Sequence, residues 1–430
     1  MLYPSLLRCT LLGTSLSLLT ACADNHAASQ VDTPTPVVQS ATISLPTATV
    51  SPTSTATFEQ PTQSFASWQA AFRQEALSAG IQAAVFDAAF AGVSPDPAII
   101  RADRSQPEFT RPVWEYLDSA ISATRVRRGQ ALLAEHASTL QAIEQRYGVD
   151  RHALVAIWGM ESNFGQYMGD KSVIAALATL AYEGRRPAFA HEQLLAALRI
   201  LQHGDVQPSR MRGSWAGAMG QTQFIPSTYN QFAVDFDGDG RRDIWDSSAD
   251  ALASAAHYLQ KSGWQSGQPW GVEVTLPSGF DYALADAEIR KPISEWRQLG
   301  VNNIPAADDQ ARAVLLLPAG HRGPAFLVLD NFRAILKYNN STAYGLAIGL
   351  LSGALDSQPG VQAAWPRSDR QLGRSERIEL QELLTSKGYT PGAADGIIGA
   401  NTRKAVRAFQ QSLGQPADGY PSHELLQQLR

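Results

Sequence analysis

A mainly α protein with a small β insertion, of the α+β class, is predicted by three observations on this sequence. Apolar residues recur at helical spacing from Ser64 to about residue 203, and again at Tyr344, Ala347, Ile348 and Leu351. Between these stretches Val272, Val274 and Leu276 alternate at period two, and the apolar runs Ala313 to Leu317 and Ala325 to Leu329 flank a Pro- and Gly-rich turn. After residue 356 the composition turns to Ser, Gln, Pro, Gly and Arg before a last helical unit at 371–430. The 430 residues, 44% of them hydrophobic, suffice for one large or two ordinary domains with real cores. A net charge of -5 gives no reason to expect a nucleic-acid partner.

Residues 1–21 carry Arg8, an apolar run from Leu11 to Leu19 and then Leu19-Thr20-Ala21-Cys22. That is a secretory signal ending in what looks like a bacterial lipobox, with Cys22 as the lipidated first residue of the mature chain. The apolar run is too short to span a bilayer comfortably. Cys9 leaves with the signal, so the mature chain can form no internal disulfide. Ala23 follows Cys22 where an Asp would favour inner-membrane retention, so the expected location is the periplasmic face of the outer membrane. Residues 22–63 are rich in Thr, Ser, Pro, Ala and Val, lack Lys and Arg, and cannot pack a core. They read as a tether reaching roughly 35 Å as a coil and up to about 120 Å when extended.

The first large domain is expected at 64–356. Phe65, Trp68 and Phe72 open a helical pattern that breaks at Ser94-Pro95-Asp96-Pro97. Further helices are expected at about 112–147, 150–162, 171–182 and 187–203, with Asp150 as N-cap of the second. The small sheet follows, then a helix at about 341–355, then a linker at 357–370. The last unit, 371–430, should be a three-helix bundle with tight Asp-Gly loops at Asp395-Gly396 and, as a partial echo, Asp418-Gly419.

Two segments carry chemistry. Leu154, Ile157, Trp158 and Glu161 share one helical stripe just before the helix breaks in Gly159-Met160-Glu161-Ser162-Asn163-Phe164-Gly165. A carboxylate on an inward face has a raised pKa and stays protonated near neutral pH, as a general acid for glycosidic cleavage requires. No second carboxylate accompanies it in an equally recognisable motif, which argues against two-carboxylate schemes. The loop Asp235 to Asp246 fits an EF-hand, with Asp235, Asp237, Asp239, Arg241 (through its carbonyl), Asp243 and Asp246 at ligand positions and Gly240 at the sharp turn. Asp246 stands where a longer Glu is usual. Ca²⁺ is the expected ion, Na⁺ is admitted, the role is structural, and no organic cofactor is expected.

The Glu161 segment, the stretch Gly213-Ser214-Trp215-Ala216-Gly217-Ala218-Met219-Gly220-Gln221-Thr222-Gln223-Phe224-Ile225-Pro226-Ser227-Thr228, and Lys337-Tyr338-Asn339-Asn340-Ser341 together resemble the lytic murein transglycosylases of the membrane-bound B type. The resemblance covers about residues 63–356 and implies a goose-lysozyme-like catalytic core. Residues 395–410 resemble a small peptidoglycan-binding domain. By the first resemblance Glu161 is the catalytic acid, and Ser214, Gln223, Tyr258, Tyr338, Asn339 and Tyr344 line the substrate cleft. Asn339 or Asn340 could approach the N-acetyl group, and Asn339 is chosen.

The implied reaction cleaves the bond between N-acetylmuramic acid and N-acetylglucosamine and leaves 1,6-anhydro ends. The implied partners are peptidoglycan strands, the outer membrane through the lipid anchor, and wall-synthesis proteins, for a monomeric chain. A hydrolytic muramidase on the same fold, or a catalytically silent lipoprotein joining outer membrane to wall, are the competing readings.

Overall fold

The computed structural model describes residues 63–104, 111–304 and 308–430. The signal at 1–21, the Cys22 lipidation site and the tether up to residue 62 therefore lie outside the described residues. Among the described residues no helix is long and apolar enough to cross a membrane.

The central helix is Arg151–Ser162, and its sequence explains why it is both buried and sharply bounded. The Asp150 side chain accepts from His152 N and Ala153 N at 2.8 and 3.1 Å, satisfying two of the free amides of the first turn. Every residue from Ala153 to Gly159 is buried. This helix packs against Ala123–Glu135, Ala137–Tyr147, Ser248–Lys261 and Thr342–Leu355, with Leu154, Ile157, Leu252, Ile348 and Leu351 in one apolar cluster. A second cluster joins Phe72, Phe86 and Phe90 to Val173–Glu183 and Pro187–His203.

The stretch expected as one helix over 112–147 is three: Val113–Ala120, Ala123–Glu135 and Ala137–Tyr147. Ser122 makes the first break, because its hydroxyl accepts from Arg125 N and so caps a new helix instead of continuing the old one. The chain bends again at His136, which ends one helix and starts the next without a side-chain cap. Helices at Pro226–Phe232, Ser248–Lys261 and Asp330–Tyr338 add to those expected.

The insertion is a four-stranded antiparallel sheet in the order Gly271–Val274, Ala325–Val328, Arg312–Leu316, Lys291–Pro292. Glu273 pairs with Phe326 and Leu315 with Leu327. One face, with Val274, Leu315 and Leu327, closes on Ile293 and Trp296. The other, with Val314, Phe326 and Val328, packs on Leu117, Leu346 and Ala347 of the helical core.

The C-terminal unit holds the helices Arg374–Ser386, Ala400–Ser412 and His423–Leu429 around Leu380, Leu384, Val406 and Leu426. Its two Asp-Gly loops are built alike. Gln381 accepts from Gly396 N at 2.8 Å and reaches Asp395 with its amide nitrogen, while Gln410 accepts from Gly419 N at 2.9 Å and donates to Asp418 at 2.7 Å. Both glycines take left-handed backbone, φ 79° and 70°, which a residue with Cβ rarely adopts.

Residues 357–370, expected from composition as a linker, are packed onto the core. Gln362 N and Ala363 N both donate to the Glu273 carboxylate at 2.7 Å, and Trp365 lies against Trp114 and Phe326. Composition alone hid this, because one Trp in a polar stretch is enough to anchor it. The C-terminal unit in turn meets the sheet region through Arg407 with Asp286 and through Asp418, which accepts from His321 N at 2.8 Å.

Candidate active site

Glu161 sits in the last turn of Arg151–Ser162, where the chain stops helix formation abruptly. Asn163, Phe164 and Gly165 all have left-handed backbone, with φ 50°, 61° and 79°. The strain at Phe164 is held by packing, since its ring is buried over Gly159 and edge-on to Trp158 with centroids 5.8 Å apart. A Cβ at Gly159 would lie 2.7 Å from Phe164 Cζ, so this glycine is needed for the ring to fold back over the helix. Ser162 Oγ fixes the turn from the other side by donating to Gln221 O at 2.6 Å and accepting from Gly165 N at 2.9 Å.

The Glu161 carboxyl is surrounded by tyrosines. Tyr344 Oη donates to Glu161 Oε1 at 2.5 Å. Burial pushes the Glu161 pKa from 4.5 up to about 7, and the Tyr344 hydrogen bond, which favours the carboxylate, opposes that shift. Burial raises the Tyr116, Tyr338 and Tyr344 hydroxyls as well, and the charge of Glu161 adds to each. Tyr338 Oη donates to Thr222 O at 2.6 Å and Tyr258 Oη to Lys337 O at 2.5 Å. The rings of Tyr258, Tyr338 and Phe224 meet at 5.2 to 5.9 Å and form an aromatic wall beside the acid.

The other candidates divide by what they are bonded to. Asn339 is buried with its Oδ1 lacking a partner, as is Thr222 Oγ1. A buried polar atom without a protein partner calls for one from water or a ligand. Ser214 and Gln223 instead hold backbone: Ser214 Oγ accepts from Ala216 N and Ala218 N, and Gln223 Nε2 donates to Met168 O and Gly220 O at 3.1 and 2.9 Å. Tyr116 went unread in the sequence, where no motif surrounds it. An aromatic beside Trp114 and Leu117 on a helix reads as core, and only the fold brings it to Glu161.

The acidic loop is distant from Glu161 in sequence but is joined to it in space. Gln221 N donates to Ile244 O at 2.8 Å, and Gln221 O accepts from Ser162, the residue after the acid. Carboxylate oxygens of Asp235, Asp237 and Asp250 lie within 4.8 Å of one another. Asp250, outside the twelve-residue motif, accepts from Phe236 N, Asp237 N and Asp243 N, and burial pushes its carboxyl up. Asp239 pairs with Arg241 at 2.7 Å, Asp243 accepts from Trp245 N and Asp246 N, and Asp246 turns outward to Arg210. Hard oxygen donors this close, with no His or Cys among them, fit a hard cation such as Ca²⁺.

Comparison with known proteins places most of the chain beside characterised families and folds. The family model for the transglycosylase SLT domain matches residues 64–353, and one for a peptidoglycan binding domain matches 373–429. The chain is 33% identical over 247 residues to membrane-bound lytic murein transglycosylase B of Escherichia coli K12, covering 56% of this chain and 66%, just under two thirds, of that relative. SltB3 of Pseudomonas aeruginosa, solved in complex with NAG-anhNAM-pentapeptide, is 65% identical with a TM-score of 0.84, over 86% of this chain and all of that one. The Escherichia coli lytic transglycosylase Slt35, solved in complex with calcium, is 29% identical with a TM-score of 0.58, over 67% of this chain and 92% of that one.

Proposed function

The chain belongs to the transglycosylase SLT-domain family, and we propose that it is a peptidoglycan lytic transglycosylase in which Glu161 serves as both acid and base. The observation that carries the reading is the Glu161 carboxyl, raised to about 7 by burial, whose charge is felt by Tyr116, Tyr338 and Tyr344. Protonated Glu161 gives its proton to the oxygen bridging N-acetylmuramic acid and N-acetylglucosamine as the bond to C1 breaks. The resulting carboxylate, steadied by the Tyr344 hydroxyl, then takes the proton of the muramoyl 6-hydroxyl while that oxygen closes on C1. A 1,6-anhydro ring results and no water is added. One carboxyl suffices because the N-acetyl group of the substrate shares the positive charge at C1; the Asn339 Oδ1, which has no protein donor, is the acceptor proposed for its N–H.

The Tyr344 hydrogen bond gives this reading a test with a definite sign. Because Tyr344 stabilises the charged form, Tyr344→Phe raises the pKa of Glu161, and the alkaline limb of kcat/KM, expected at about 7 in the wild type, moves upward. A limb that stays in place or moves down contradicts the assignment of Glu161 as the group that must be protonated.

For the acidic loop we propose bound Ca²⁺, held by Asp235, Asp237 and Asp239, the Arg241 carbonyl, and Asp243, with Asp250 or Asp246 closing the shell. The ion neutralises the crowded carboxylates and takes no part in the proton transfers. Chelation, or Asp237→Ala with Asp239→Ala, lowers the melting temperature, because an ion bound only by the folded state stabilises it. An unchanged midpoint with no ion in the purified protein makes the loop a solvated turn. The C-terminal unit is proposed to bind peptidoglycan strands, and the Cys22 lipid to hold the enzyme at the periplasmic face of the outer membrane.

A further inference from the structure

The packed segment 357–370 meets one helix of the active site on its outer side. The Trp365 ring lies tilted against Trp114 with centroids 6.2 Å apart, and Arg367 makes a two-pronged ion pair with Asp118 at 2.7 and 3.0 Å. Trp114 and Asp118 are four residues apart on Val113–Ala120 and so share a face, whereas Tyr116 lies about half a turn away, on the side of Glu161. Val361 and Trp365 belong to the same apolar cluster as Tyr116, Leu117, Phe326, Leu346 and Met160, the neighbour of the acid. The segment is fixed at one end by Gln362 and Ala363 on Glu273, and at the other by Arg322 with Asp369 and by Arg370 with Glu376 of the C-terminal unit.

We propose that Val361, Trp365 and Arg367 are positioning residues for the reaction: they press Val113–Ala120 onto the cleft, keep Tyr116 packed against Glu161, and thereby tie the wall-binding unit to the acid. The proposal rests on Glu161 being the acid. Arg367 and Asp118 are both more than half exposed, so water screens their pair and Trp365 carries most of the contact. Behind the helix, Arg125 donates to Ser119 O and Ala120 O, so its C-terminal end is fixed while its outer face depends on the segment. Without Trp365 the helix loosens, more water reaches the half-buried Glu161, and part of the desolvation that keeps the carboxyl protonated is lost. The titratable groups facing Glu161 are Tyr116, Tyr338 and Tyr344, with Arg125 acting on Tyr116. None of these is removed by the substitution.

The test is the pH profile of kcat/KM for Trp365→Ala and Trp365→Phe in the full chain, on soluble glycan fragments so that wall affinity does not enter. The alkaline limb of Trp365→Ala is expected about one unit lower, which makes activity about fivefold lower at pH 7 and close to wild type at pH 5. Trp365→Phe restores the limb. Should Trp365→Ala not fold, Glu273→Ala frees the segment at its other end without opening the core and is expected to move the limb the same way. An unmoved limb, or a loss equal at every pH, overturns the proposal and leaves the segment a structural brace. Activity retained by Glu161→Gln would instead overturn the assignment of the acid on which the proposal stands.

Discussion

Glu161→Gln is expected to lower turnover about 10²- to 10⁴-fold while leaving wall binding intact, because an amide keeps the shape of the acid but can neither give nor take the proton. The amide oxygen can still accept from Tyr344 Oη, so the cleft stays assembled. The same variant is expected to be more stable than the wild type at alkaline pH. Glu161 holds its proton up to about 7 in the folded chain and only up to 4.5 in a solvated one. Between these values the folded state binds more protons than the unfolded, so the stability of the wild type falls as pH rises through that window and is unaffected below it. The loss is at most about 3 kcal/mol above pH 7, less whatever the solvent at this half-buried side chain screens. Urea unfolding of both proteins at pH 4 and pH 8 checks this. A stability gap that is the same at both pH values, or near-normal release of muropeptides, contradicts the role given to Glu161.

Gly169→Ala is the substitution expected to damage the fold most. Gly169 lies where the loop after the acid crosses the Ser214 loop, with φ +90°, and an added Cβ would stand 2.1 Å from Gly213 O and 2.6 Å from Ser214 N. Both obstacles are backbone, and Gly213 is paired with Lys171, so neither side can yield without parting the two loops. A cost of about 3 kcal/mol or more is expected, with loss of activity as the Ser214 loop shifts. Gly204→Ala separates strain from overlap: its φ is +84° but no atom lies within 4 Å of the added Cβ. That variant should lose only about 1 kcal/mol. If urea midpoints place the two variants within error of each other, the close approach at Gly169 is not what holds the loops together.

Legibility in the sequence followed the range of the interaction. The helices ending at Glu161 and carrying Tyr344 were plain, because apolar spacing and a capping Asp150 are local signals. The three strands were readable for the same reason, and the Asp-Gly echo in the C-terminal unit proved to be a repeated structural device. Breaks at Ser122 and His136 were missed because apolar periodicity continues across them while the chain changes direction. Helix Ser248–Lys261 escaped notice although Ser247 caps its start, because half of its buried residues are Ala, which marks a core face less plainly than Leu or Ile.

In the site, motifs led to Glu161, Tyr338 and Tyr344 but could not say that Ser214 and Gln223 brace backbone, since that depends on which amides the fold brings near. Tyr116 and the packing of Trp365 are long-range facts with no local trace. Asp250 did leave a trace, the Ser247-x-x-Asp250 spacing of a helix start, in which Ser247 caps Asp250 N and the Asp carboxylate turns back to the loop.

In the proposed reaction one acid, assisted by the substrate, closes an anhydro ring instead of admitting water. Mass spectrometry of the muropeptides released from purified sacculi by the full chain tests it most directly. The new muramoyl ends are expected to be 1,6-anhydro, one water lighter than reducing ends and unchanged by borohydride. Reducing muramoyl ends, each a water heavier and converted by borohydride, would contradict it and make the protein a hydrolase.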